Sequence, residues 1–236
     1  MANYSLSISD AVSTGWEYAK KHGLLIAVIY LIVGVVSGGV QSFMGTLFGG
    51  TALDAMTEAM SRGDWDQVSR YANEYNSSIG SSLSTFVSIV ISIIVSVGLY
   101  NLALGLLEGR FTTVEFEAFK LPVSTYLKFF LVELIVGLII FISTLCCVIP
   151  AFFVAPRLVF ASVYVIQNPD TGIGEAIKAS WDMTKGNTIS LIGLGFLLGG
   201  VIILGFLCCC IGVYFAEVVC LFTTIAAYNQ LKGNLL

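Results

Sequence analysis

Polar and apolar positions along this chain come in blocks with two different periods. Residues Ile8 to Lys20 place Ile8, Ala11, Val12, Trp16 and Ala19 at helical spacing, with Asp10, Ser13, Glu17 and Lys20 opposite. That spacing predicts an amphipathic helix with one apolar face. The same pattern returns at Ile173 to Lys185, where Ile173, Ala176, Ile177 and Trp181 form the apolar face. Each run leads into a long apolar block. A bilayer core about 30 Å thick needs roughly 20 apolar residues per helix. Six blocks fit: 24–48, 83–106, 129–149, 150–166, 188–211 and 212–231. The third and fourth meet at Ile149-Pro150, the fifth and sixth at Gly212. A helix running through either pair would be about twice the membrane thickness. Each pair therefore predicts a tight hairpin, broken at its tip by proline or glycine.

The two amphipathic runs are copies of one another. A shift of 165 residues matches Ile8 with Ile173, Ala11 with Ala176, Trp16 with Trp181, Lys20 with Lys185 and Gly34 with Gly199. A second shift, of 62 residues, lays LCCVIPAFF (Leu145 to Phe153) on LCCCIGVYF (Leu207 to Phe215) and Phe119 on Trp181. The expected architecture is an all-α integral membrane bundle. It has six transmembrane helices in three quasi-repeated hairpins, each preceded by a cytoplasmic amphipathic helix. Interfacial helices are expected at 8–21 and 172–186, and an outer insertion at 50–82, all within one domain, 1–236. Trp16, Trp181 and Phe119 are the expected interfacial anchors, because aromatic rings settle at headgroup level.

Composition agrees with a membrane location. Of the chain, 57% is hydrophobic and only 11% charged, where soluble domains carry about a quarter charged residues. No basic stripe or nucleic-acid motif is present, which excludes nucleic acid as a partner. The first apolar block follows twenty-odd polar and amphipathic residues without a small-residue cleavage site, so it reads as a retained span. With the N-terminus in the cytoplasm, the inner face collects Lys20, Lys21, Arg110, Lys120, Lys128, Lys178, Lys185 and Lys232. The outer face keeps Arg62 and Arg70 among five acids. The positive-inside rule then sets both termini in the cytoplasm.

The stretch from Ile142 to Asn187 carries an Ile-Pro tip (Ile149-Pro150), a helix, a short polar loop and a Glu-Ala-x-Lys-x-Ser-Trp-type helix (Glu175 to Trp181). In this it resembles the poorly characterised bacterial multi-helix membrane families related to the glycerophosphodiester phosphodiesterase membrane domain. The resemblance covers the last two thirds of the chain, and reaches the first span through its repeat. It implies the fold and a bacterial cytoplasmic (inner) membrane location, far more than an activity. The phosphodiesterase chemistry of those relatives belongs to a separate soluble barrel, which has no counterpart here.

Charges inside spans are costly and mark candidate sites. Glu133 lies five residues inside Lys128, so it either reaches back to the interface or serves a polar path. Arg157 is seven residues from the Pro150 tip and Glu217 five from the Gly212 tip. Equivalent hairpins would put them within about 3 Å in depth, and a contact between them is expected, as a fold-locking ion pair or as part of a solute path. Gly34 and Gly38, and Gly195 and Gly199, are small-xxx-small pairs expected to bring helices close. Cys146, Cys147, Cys208, Cys209 and Cys210 cluster near the hairpin tips, with Cys220 deeper. Their spacing does not fit zinc, which leaves apolar filler or a disulfide between tips. The outer insertion either holds a partner or shields the bundle. No catalytic set, phosphate loop or metal spacing emerges, so no enzyme activity, cofactor or metal is expected. Two function classes remain. One is a non-enzymatic scaffold or lipid- or partner-interacting factor, with membrane lipids, a second copy or another protein as partners. The other is a small-solute or ion transporter with a polar path near Arg157, Glu217 and Glu133.

Overall fold

The computed structural model describes residues 5–77, 79–146, 148–207 and 210–235, the side chains of 45–53, 75–77, 79–81, 148–149 and 210–211 excepted. Every regular element among them is helical: α1 (Ile8–Ser61), α2 (Trp65–Ser77), α3 (Ile79–Leu107), a 3-10 turn (Phe116–Phe119), α4 (Val123–Cys146), α5 (Val148–Leu158), α6 (Ala161–Gln167), α7 (Ile173–Met183), α8 (Thr188–Leu207), α9 (Cys210–Leu231) and a closing 3-10 turn (Lys232–Leu235). Six helical stretches are long and apolar enough to cross a membrane: Ile8–Met44, Ser82–Leu107, Val123–Cys146, Pro150–Gln167, Thr188–Leu207 and Gly212–Leu235. They expose large apolar side chains, among them Leu24, Val35, Phe86, Phe141, Ile203 and Phe206. So many exposed apolar side chains suit hydrocarbon rather than water.

Several boundaries differ from those read in the sequence. No break separates residues 8–21 from 24–48, because α1 is continuous through Gly23. A single glycine costs a helix only about 1 kcal/mol relative to alanine, too little to end one flanked by strong helix formers. The third-to-fourth connection falls one turn before the expected tip. α4 ends at Cys146 and α5 begins at Val148, so Pro150 sits in the first turn of α5, where its missing N–H would have had no partner. The fourth span is itself divided, with α5 ending at Leu158 and α6 starting at Ala161. Within the range 172–186, expected as a surface helix, the chain forms the helix α7, Ile173–Met183.

Two compact units divide the chain, Tyr30–Val95 and the residues on either side of it. The smaller contains the expected outer insertion. There α1 continues to Ser61 and turns through Gly63, whose positive φ of 72° suits glycine. Asp64 then opens α2, its carboxylate accepting the Gln67 backbone N–H at 3.1 Å.

In the larger unit, Val132, Val136, Leu158, Ala161, Val165 and Ala176 form a core where α4, α5, α6 and α7 meet. The α8–α9 hairpin packs backbone to backbone. A Cβ on Gly212 would stand 2.5 Å from the Gly205 carbonyl oxygen, so both positions require glycine. The N-terminal part of α1 leans on α9. Trp16 meets Phe215 edge-on at 5.9 Å, and Gly15 lies so close to Thr223 that no side chain fits. On the polar side, Glu108 accepts hydrogen bonds from Lys232 (2.9 Å), Arg110 (3.0 Å) and Gln167 (2.6 Å), while Tyr228 donates to Gln167 at 2.6 Å. Burial opposes the charge on Glu108. Lys232, joined by Arg110, outweighs it and holds the carboxyl below its ordinary value.

Candidate functional site

The division of the fourth span organises the site. Pro156 has no N–H to continue the α5 ladder, and the helix ends two residues later. Backbone groups freed in a buried helix break need partners, since no water reaches them. They come from α7. Ser180 Oγ donates to the Arg157 carbonyl at 2.7 Å and accepts from the Phe160 N–H at 3.3 Å. Thr184 Oγ1 adds a longer contact to the same carbonyl, 3.4 Å. Ala176, Ser180 and Thr184 recur every four residues and are fully buried, so the buried stripe of α7 is made of small residues that approach α5 and α6 closely. The sequence reading missed the hydroxyls. Their signal was two polar residues in register with Ala176 on the apolar face.

The break leaves Arg157 at the end of α5 pointing toward the start of α8. Its Nε donates to Thr188 Oγ1 at 3.1 Å, and the guanidinium lies over the Trp181 ring, 4.5 Å from its centroid. A cation over indole is stabilised by about 0.5–2 kcal/mol, more as water is excluded. Among the described residues no carboxylate lies within ion-pair distance of Arg157. The expected contact with Glu217 is therefore absent. The reason is depth. Phe152 stacks on Phe196 and Arg157 reaches Thr188, so α5 runs antiparallel to α8 from about the middle of α8 back to its start. Across the α8–α9 hairpin, Gly205 faces Gly212 and Leu198 faces Cys220. Glu217 is thus level with about residue 200, roughly 18 Å along α8 from Thr188. The two hairpins do not end at one height, and counting residues from their tips misjudged the depth.

Glu133 stands apart from both. It accepts the Ser162 hydroxyl, tying α4 to α6. Lys128 meanwhile bonds the Pro169 carbonyl at 2.5 Å. Glu217, half-buried on α9, has no hydrogen-bond or ion-pair partner among the described residues. The three charges do not form one path.

Beside the break lies an apolar groove of about 740 Å³ between α5 and α8. Phe152, Ala155 and Val159 line one wall, and Leu191, Gly195 and Gly199 the other. Among the described residues, Thr144 and Thr224 supply its only polar side chains and no charged residue lines it. Gly195 and Gly199 thus open a gutter rather than a helix contact. No described atom comes within 4 Å of where a side chain would begin on either, or on Gly38, and Gly34 is exposed. A second hollow of about 460 Å³ lies on the opposite face of α5, lined by Phe153, Arg157, Trp181, Gly186, Thr188 and Ile189. Residues 152, 155 and 159 share one side of a helix and 153, 154 and 157 the other, so α5 separates the two spaces.

Among the expected anchors, Trp16 and Trp181 are partly exposed, and Phe119 fills the space over Gly98. Cys146 and Cys220 are free thiols. Cys147, Cys208 and Cys209 lie outside the described residues, as does the side chain of Cys210. No cluster of metal-ligating residues occurs among the described residues. In comparisons with protein families, curated proteins and solved structures, nothing matches this chain.

Proposed function

We propose that this chain is a non-enzymatic, lipid-interacting factor of the bacterial cytoplasmic membrane, with both termini in the cytoplasm and kinship to the glycerophosphodiester phosphodiesterase-type membrane families. The groove between α5 and α8 carries the proposal. It lies among membrane-spanning helices, its walls are apolar, and its space is that of an acyl chain rather than of a hydrated solute. A solute path would need polar groups along its length, and the charges expected to supply them are scattered over three separate places.

The fold behind it is three quasi-equivalent hairpin units, each led by a cytoplasmic surface element that packs on the second helix of another unit. Three contacts support this. Ala118 of the 3-10 turn accepts from Asn101 of α3 at 2.9 Å, Ser180 of α7 holds the end of α5, and Gly15 of α1 abuts Thr223 of α9. The shifts of 62 and 165 residues superpose Ala118, Ser180 and Gly15 on one another. A small residue in that column lets each surface element approach its neighbour.

Native mass spectrometry of the purified full chain tests the function. Wild type is expected to keep lipid masses that Gly195→Phe, which fills the groove, sheds. Wild type flying free of lipid under conditions that preserve the fold would sink the idea. Transport is the second reading, and Glu217 alone favours it: a half-buried carboxylate roughly 10 Å inside the α8–α9 tip. Ion flux into proteoliposomes that disappears in Glu217→Gln would support it.

A further inference from the structure

We infer that the hollow around Arg157 is a headgroup seat for an anionic phospholipid, with the lipid phosphodiester on the guanidinium and its chains along Phe153 and Ile189. This rests on the lipid-interacting reading but concerns the other face of α5. The guanidinium spends Nε on Thr188 and one face on Trp181, and among the described residues it donates no further hydrogen bond. Both Nη groups therefore keep their hydrogens for an incoming acceptor. Two parallel N–H donors match two oxygens of a phosphodiester. An arginine at this level without a carboxylate leaves a charge uncompensated, and a lipid phosphate is the anion the membrane supplies at headgroup depth.

The surroundings are shaped for a molecule that is half polar and half apolar. The floor is Gly186, which turns the chain from α7 into α8 at φ 85°. Beside these lining residues in the chain stand one exposed base, Lys185, next to Gly186, and one exposed acid, Asp182, next to Trp181. Away from the rim, Ile189 is 80% exposed and Phe153 50% exposed, offering hydrocarbon to hydrocarbon. A zwitterionic headgroup would bring its own cation beside Arg157. An anionic headgroup such as that of phosphatidylglycerol brings none, and charge complementarity selects it.

The test is native mass spectrometry of the purified full chain titrated with phosphatidylglycerol or phosphatidylcholine of identical chains. Wild type is expected to hold phosphatidylglycerol about ten-fold more tightly, the scale of one charge-assisted pair of hydrogen bonds. Arg157→Gln should bring both lipids to the same affinity, while Lys178→Gln, elsewhere on the surface of α7, keeps the preference. Gly195→Phe should reduce the retention of both lipids and leave their ratio intact. A wild type without preference overturns the seat, as does an Arg157→Gln that keeps the preference or a Lys178→Gln that loses it equally. If Arg157→Gln does not fold, Thr188→Val and Trp181→Phe replace it and should each lower the ratio. Unchanged ratios in both would overturn the seat. Lipids retained without preference sink the seat alone, whereas a wild type retaining neither lipid sinks the groove reading as well.

Discussion

Ser180 is the most exacting point in the structure. Among the described residues its hydroxyl is the sole bridge to the Phe160 N–H and the shorter of two to the Arg157 carbonyl, at a helix break where Pro156 has already removed one ladder bond. Ser180→Ala changes volume little and removes both bonds at a fully buried position. An orphaned buried backbone group costs about 1–3 kcal/mol. The Thr184 hydroxyl gives its one proton to the Ser180 carbonyl at 2.7 Å, and only by turning toward the Arg157 carbonyl, 3.4 Å away, does it relieve part of that group's loss. The N–H of Phe160 has no such substitute, so the expected loss is about 2–3 kcal/mol. Reversible unfolding in mixed micelles, followed by circular dichroism, measures it. Thr144→Val is the reference, because its hydroxyl bonds only the Ile140 carbonyl of its own helix at an exposed position. It should cost less than about 0.5 kcal/mol. A Ser180→Ala variant as stable as Thr144→Val would refute the view that α7 supplies the backbone of the broken span. In Ser180→Ala/Thr184→Val the losses should exceed the sum of the single losses, since each hydroxyl then lacks the other's cover.

Gly212→Ala should destabilise by about 1–3 kcal/mol, because the new methyl collides with the Gly205 backbone. Gly38→Ala, with nothing nearby, should stabilise by about 0.5–1 kcal/mol through helix propensity; the same unfolding assay reads both. The depressed pKa of Glu108 means that its contribution to stability is complete above the ordinary value of 4.5 and is lost as pH falls through the lower folded value. Unfolding measured against pH should therefore show an acid-side decline that Glu108→Gln flattens. A variant with an undiminished decline would remove Glu108 as its source.

Much of the architecture could be read from period and length. Apolar blocks of about 20 residues had to become spanning helices, because only a helix satisfies its own backbone in hydrocarbon. The two Trp-bearing runs foretold helices at both places, and α7 stands free where the second was expected. Other features depend on heights and facing partners that one-dimensional spacing does not contain. Arg157 and Glu217 looked level only because both were counted from hairpin tips, and the tips lie at different heights. Gly195 and Gly199 looked like a contact surface, yet a bare glycine stripe serves equally well as the wall of a groove when the neighbouring helix stands off.

The chain's sequence by itself determined that it is helical, where its apolar spans lie, and that its charges avoid most of them. These follow from local terms: residue hydrophobicity and the self-contained hydrogen bonding of a helix. Tertiary structure alone decided that Ser180 completes the broken fourth span, that Arg157 rests on Trp181 and Thr188 without an acid, and that an apolar groove opens on the other face of α5. Those outcomes depend on which helices meet and at what depth, and that is fixed by packing between residues far apart in the chain.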